Sequence, residues 1–364
     1  MCNASNTFGG INLRNFYLEV NLDNINYNIN KIKEKTSKKI MAVVKADAYG
    51  LGIEKVTEFL SDKVDAFAVI NMEEALKVKS EKDVLILTPE LSREDIELIK
   101  DNFIITIDNE ELLKKIASII PEKEVRAHIY VDTGMNRFGV KPADFESFLQ
   151  TVEKYKNIKV EGVYTHLNNT GDKDYTQKQI SKFKNLILPY REKFKEIHIL
   201  NSSGFLKYND EVDFDTMVRC GNIIYGYDAQ PFGYKKAYQY KARPIRVYEV
   251  EKGEFIGYGN IYKAKRKVRV GILDVGLIDS FDCTKNVRHN VFYDIAKVIY
   301  HHIKYYSGIF YNGRVIKMVG KPNMNFTIVE MDDIPEDAEF NIDLSPIYAD
   351  SSIPKKYRKE DLNV

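Results

Sequence analysis

The chain has 364 residues and nearly balanced charge, 54 Lys and Arg against 53 Asp and Glu for a net +1, with no basic stretch dense enough to follow a phosphate backbone, so nucleic acid is not expected as a partner. Cys2, Cys220 and Cys283 stand far apart with no CxxC and no matching His spacing, which argues against a metal site or a disulfide framework and fits a reducing compartment. The start MCNASNTFGG lacks an apolar core and no window approaches ~20 apolar residues, so a soluble cytoplasmic protein without membrane contact is expected.

The length suggests one large α/β barrel with a smaller module, or two medium domains. From about residue 40 one phrase repeats: a short apolar, β-branched run, a loop, then an amphipathic stretch with helical spacing. The first runs are Ile40 to Val44, Ala66 to Ile70 and Val84 to Leu87. Each is followed by a predicted helix, over Ile53 to Leu60, Met72 to Lys79 and Ser92 to Lys100, the last opening on a capping pattern of Ser92 with Asp95. Further runs at Ile104 to Ile107, Ala127 to Val131, Val160 to Tyr164, Ile197 to Leu200 and Met217 to Val218 bring the count to eight. Eight alternating units favour an N-terminal (β/α)8 TIM-like barrel over an open doubly wound sheet, and no GxGxxG opens the first unit.

After about residue 245 the texture changes to short alternating runs, Ile245 to Val250, Val268 to Leu273, Val315 to Val319 and Phe326 to Glu330. These predict a C-terminal mainly-β domain. The expected division is therefore a barrel over 1–245 and a β domain over 246–364, with residues 1–14 as candidates to pack with the latter. Tyr305, Tyr306 and Tyr311 suit a half-buried sheet surface.

In such a barrel, functional side chains sit where strands end. Lys45 follows the first run, Asp132 and Arg137 the fifth, His166 the sixth, Asn201 and Ser202 the seventh, and Arg219 and Gly221 the eighth. A lysine at the end of an apolar strand is poorly solvated and has a lowered pKa, as an aldehyde-trapping amine requires; the alternative is a lysine that snorkels to solvent. Ser202, Ser203 and Gly221 suit a phosphate cradle taken jointly, and ordinary turn chemistry taken singly. His166 and Arg219 each have a structural alternative, as a carbonyl-bonded histidine and an arginine paired for stability. His128, His198, His289, His301 and His302 show no metal-ligand pattern, and no metal is expected.

At VVKADAYGLG the sequence resembles the alanine racemase family, whose lysine in the corresponding AVVKADAYGHG bonds pyridoxal-5′-phosphate (PLP). HIYVDTGMNRFGV, GVYTHL, HILNSSG, MVRCGNIIYGY and FIGYGNIY are similar to further family motifs, in the family's order. The resemblance implies a homodimeric PLP-dependent racemase with active sites shared between subunits. Lys45 would hold PLP and exchange a proton on one face of the substrate α-carbon, and Tyr258 of the partner subunit on the other. Tyr49, Ser202, Gly221 and Asn222 would bind the phosphate, Arg219 the pyridine nitrogen, and His166, with Asn201 beside it, would complete the cofactor site; Arg137 and Met324 would contact substrate. A phenol with an ordinary pKa of ~10 is scarcely ionised at neutral pH, so Tyr258 calls for nearby cations, among them an Arg-polarised His166. The resemblance also implies D-alanine for peptidoglycan as the product's use.

The sequence departs from the family pattern at Tyr130, where many members have lysine, and at Leu277, Asn323, Asn325 and Ser351, all in the entrance and carboxylate region. Alternatives therefore stay open: a racemase of serine or of a basic amino acid, a non-catalytic PLP-binding homologue, and a fold-type III decarboxylase, against which the absence of an HxCGxK-type motif speaks.

Overall fold

The eight apolar runs form eight strands in the computed structural model, which describes residues 14–283, 291–303, 306–359 and 362–363. Cys2, His289, Tyr305 and the packing of residues 1–13 lie outside the described residues, as do the side chains of His301 and His302. Two compact units divide the chain, one over Leu22–Ala237 and one combining the segment up to Asn21 with Tyr238–Val364. The division falls before residue 245 because Tyr238–Ala242 pairs antiparallel with Phe16–Asn21, a contact more than 200 residues apart in sequence that no local pattern announces.

The first unit is a parallel eight-stranded barrel: β1 (Lys39–Val43), β2 (Ala66–Val69), β3 (Asp83–Ile86), β4 (Phe103–Ile107), β5 (Val125–Tyr130), β6 (Ile158–Tyr164), β7 (Glu196–His198) and β8 (Met217–Cys220). Neighbours pair in chain order, and β8 returns to β1 through Met41 opposite Arg219. The ring closes between β7 and β8, where the Thr216 and Arg219 amides donate to the Ile197 and Leu200 carbonyls at 2.7 and 2.9 Å. Strands such as FIITI are buried along their whole length because both faces are covered, by the barrel interior and by helices. Helices stand where the periodicity places them, at Ile53–Leu60, Met72–Lys77 and Arg93–Glu97, the last closed by the expected box: Asp95 N–H to Ser92 Oγ at 3.0 Å and Ser92 N–H to Asp95 Oδ2 at 2.9 Å.

Register decides what meets in the interior. His128 on β5 lies opposite Gly162 on β6, Tyr130 opposite Tyr164, and Tyr164 opposite His198 on β7. A Cβ at Gly162 would come 2.6–2.8 Å from three atoms of the fully buried His128 ring, so the glycine is what admits an imidazole to this layer. Gly162→Ala is expected to destabilise the fold by about 1–3 kcal/mol, measurable as a lowered denaturant midpoint with an unchanged slope.

The second unit is strand-rich. A seven-stranded sheet places Tyr238–Ala242 and Phe16–Asn21 near its centre, and Pro244–Val250, Val268–Leu273 and Thr327–Glu330 form a separate three-stranded sheet. The run expected over 315–319 is not one ladder. Arg314–Val315 pairs with Ile309–Tyr311, whereas Met318 bridges Val329, so the segment changes partners midway. A helix, Val291–Ile303, also stands in this unit where only strands were expected. Among the described residues, no helix is long and apolar enough to cross a membrane.

Candidate active site

The C-terminal ends of the barrel strands surround a cavity of about 460 Å³, within the ~300–1,000 Å³ of small-molecule sites. Among the described residues its wall contains three cationic side chains, Lys45, Arg137 and Arg219, and no carboxylate. A low-dielectric pocket with that charge balance demands anionic ligands.

Lys45 follows the last residues of β1 and leads a left-handed turn. Ala46, Asp47, Ala48 and Tyr49 all have φ between 53° and 58°, a conformation costing on the order of 1 kcal/mol for each L-residue. The surroundings hold it: Asp47 accepts the Ile53 N–H at 2.8 Å, Glu74 accepts the Asp47 N–H at 3.3 Å, and the Tyr227 hydroxyl donates to the Tyr49 carbonyl at 3.0 Å. Gly50 and Gly52 continue at positive φ. Burial, then the Arg137 charge, lower the Lys45 pKa, against a raising effect of Glu74 and with a further lowering by Arg219. The amine is thus more available as a neutral nucleophile than an ordinary lysine.

Arg219 is buried yet has no carboxylate within ion-pair distance among the described residues. Its guanidinium donates to the Thr165 carbonyl at 2.7 Å and to the His198 carbonyl at 3.0 Å, meets His198 Nδ1 at 2.6 Å and approaches His166 Nδ1 at 3.4 Å. An arginine has donors only, so His198 accepts at Nδ1, carries its proton at Nε2 and gives it to His128 Nδ1, 2.9 Å away. Both histidines are neutral, and burial lowers the pKa of each, that of His128 to about 3. Tyr130, Tyr164 and His198 stack in a column with centroids 4.8 Å apart, and Arg219 lies 5.0 Å from the Tyr164 ring centroid.

A second group of lining residues supplies neutral donors: Tyr49, Ser202, Ser203 and Asn222. Gly221 donates its N–H to Ser202 Oγ at 2.9 Å, and a Cβ there would come 2.4 Å from the Tyr49 hydroxyl. Asn201 also borders the cavity, but both ends of its amide are engaged, accepting the Gly204 N–H at 2.8 Å and donating to the Leu167 carbonyl at 3.2 Å. It caps the following helix, and its amide nitrogen keeps a second N–H.

Tyr258 and Met324 belong to the second unit. Tyr258 stands in a turn flanked by Gly257 and Gly259, both at positive φ, and is 81% exposed; Met324 is 68% exposed. The Leu277–Ile278 loop packs on the Met324 loop, with the Leu277 and Ile278 amides donating to the Asn323 and Met324 carbonyls at 3.0 and 2.9 Å. Gly276 permits that approach, since a Cβ would lie 2.5 Å from the Met324 carbonyl oxygen.

Models of the alanine racemase N-terminal and C-terminal domains match residues 20–229 and 237–344. The chain belongs to the alanine racemase family. It is 32% identical to alanine racemase 2 of Clostridium acetobutylicum over 280 residues, covering 72% of this chain and 70% of that one. It is 30% identical to alanine racemase of Aquifex pyrophilus over 328 residues, covering 88% and 85%. The solved alanine racemase of Clostridium difficile 630 superimposes with a TM-score of 0.82 at 24% identity, over 96% of this chain and 97% of that one.

For this alanine racemase family member the barrel cavity brings together Lys45, Tyr49, Arg137, His166, Asn201, Ser202, Arg219, Gly221 and Asn222. Sequence reading passed over Tyr164, although it ends β6 much as Lys45 follows the end of β1; its role depends on stacking, which no spacing reveals. The expectation of a positively polarised His166 needs correction. Burial, followed by the Arg219, Arg137 and Lys45 charges, pushes its pKa down to about 3, so the ring is neutral and the positive charge belongs to Arg219. Histidines held neutral in the fold but titrating near 6.5 when unfolded make stability rise with pH between those values. Acidification from pH 7 to 5 is expected to cost about 2 kcal/mol for each fully buried ring. His128→Gln should remove roughly one proton from the pH slope of the unfolding free energy.

Proposed function

We propose that the protein is a PLP-dependent racemase interconverting L- and D-alanine, as a homodimer in the cytoplasm. The observation that carries this reading is a cavity holding a depressed-pKa lysine and two further cations with no acid in its wall, which fits a ligand pair bringing a phosphate and a carboxylate. The donor set is also suited to the cofactor: hydroxyls of Tyr49, Ser202 and Ser203 with Asn222 for the phosphate, Lys45 for the aldehyde carbon, and Arg219 for the ring nitrogen. When bound, PLP supplies the conjugated electron sink that makes an amino acid's α-hydrogen acidic enough to leave.

The chain's own groups then account for the stereochemistry. Inversion requires proton removal on one face of the α-carbon and delivery on the other, so two bases must flank it. Lys45 Nζ serves one face. The hydroxyl of Tyr258 of the partner subunit serves the other, a role suited to a side chain that is 81% exposed on its own unit. Phe255, Ile261, Leu277, Ile278, Met324 and Phe326 are also exposed in that unit, apolar side chains that a second copy would cover. Arg219 keeps its proton at any working pH and only hydrogen-bonds the ring nitrogen. Its lack of a carboxylate partner leaves its charge for the ligand, and Arg137 is the group for the substrate carboxylate.

Chiral chromatography of L-alanine incubated with the protein and PLP should show conversion toward equal L and D forms. A panel including serine and the basic amino acids fixes the substrate range, and a PLP-bearing protein that leaves every amino acid's configuration unchanged would refute the proposal.

A further inference from the structure

Tyr130 is the least explained member of the cavity wall. It ends β5, is 2% exposed and stacks flat on Tyr164, so its ring position is fixed. Its hydroxyl is buried and has no hydrogen-bond partner, although leaving such a group unsatisfied costs roughly 1–3 kcal/mol. The side chain lines the cavity together with Arg137. The Arg137 guanidinium acts on the phenol electrostatically: burial raises the Tyr130 pKa, and Arg137 is the largest influence pulling it back. Phenol and guanidinium therefore border one volume. Both can donate, and no acid in the wall can accept.

We infer that the Tyr130 hydroxyl is a binding group of the active site, donating a hydrogen bond to an anionic oxygen held in the cavity beside Arg137. The inference rests on the racemase reading above and adds a recognition residue to it. Two anionic oxygens meet the chemistry: the carboxylate of the amino acid and the ring oxygen of the cofactor. A charged acceptor strengthens a phenol's hydrogen bond, and the fixed ring makes the donor preorganised, so little ordering is lost on binding.

Tyr130→Phe keeps the ring, the stack and the volume and removes one oxygen atom. Since that oxygen has no protein partner, the melting temperature of the cofactor-free variant is expected to equal or exceed the parent's, whereas a structural role for the hydroxyl predicts a decrease. In the holoenzyme, the inhibition constant of propionate, a short carboxylate without an amine, should rise roughly ten-fold or more if the hydroxyl serves the substrate carboxylate, with KM for alanine rising in parallel. If it serves the cofactor's ring oxygen, the visible absorption maximum and its pH titration should shift without substrate, and propionate should be unaffected. Either result supports the assignment. A holoenzyme that racemises alanine while its Tyr130→Phe variant keeps both propionate inhibition within two-fold and the absorption band unmoved overturns it and leaves the racemase reading intact. A protein that neither takes up PLP nor racemises alanine overturns both.

Discussion

Lys45→Ala is expected to abolish the visible absorption band of the PLP-loaded protein and to lower alanine racemisation by about 10³-fold or more. On the proposed function, the substitution removes one amine that serves twice, as the covalent anchor of the cofactor and as the base on one face of the α-carbon. The fold should survive it. Lys45 lies at the rim of the barrel, half-buried, and its charge is disfavoured there by burial and by two nearby guanidinium groups, so losing that charge relieves repulsion instead of breaking a pair. Absorption spectra, chiral product analysis and a melting curve on the same sample separate the outcomes. A variant that melts with the parent yet keeps the visible band would mean that another group holds the cofactor.

Tyr258→Phe should behave in a complementary way, keeping the absorption band and losing roughly 10²–10⁴-fold in racemisation. Nothing in the cavity wall depends on Tyr258, and the side chain is exposed in its own unit, so neither cofactor uptake nor melting temperature should change. The assignment to a second copy makes a sharper demand. A heterodimer of Lys45→Ala and Tyr258→Phe protomers would contain one site with both defects and one with none. Dissociating and re-mixing the two inactive homodimers in equal amounts should therefore restore about a quarter of the parent activity. If re-mixed subunits are shown to exchange and activity stays absent, lysine and phenol do not come from different copies.

The barrel was legible because its signal is local and repeated. Most of the β-branched runs in the first unit are buried along their length, so composition alone marks them, and the Ser92 and Asp95 capping pair is a four-residue pattern with one geometric meaning. The second unit was less legible. Tyr238–Ala242 reads as a polar YQYKA segment, and its place near the centre of a sheet comes from pairing with Phe16–Asn21 across the length of the chain. Val291–Ile303 was hidden by the expectation of strands, although its apolar residues recur at helical intervals.

At the site, residue identity and position at strand ends were enough to find Lys45, Arg219 and His166, while the family resemblance pointed to Tyr258 in the other unit. What spacing could not supply was protonation. The neutrality of His128, His198 and His166 follows from burial and from a guanidinium that can only donate, facts that exist only once the strands are aligned. Nor could it supply the handedness of the backbone after Lys45, since in Ala-Asp-Ala-Tyr only Asp47 tolerates positive φ better than most residues and a run of four such residues is rare.

That segment sets a limit on how this enzyme could be improved. Glycine at 46 or 48 would adopt the same dihedrals with less strain, so the alanines there cost the folded protein some stability. What they provide in exchange is stiffness: side-chained residues confined to one corner of conformational space cannot swing, and the amine at the head of the turn inherits that immobility. Engineering for heat tolerance at these positions would consequently trade turnover for robustness, and the trade would be decided in the backbone without altering a single group that touches the substrate.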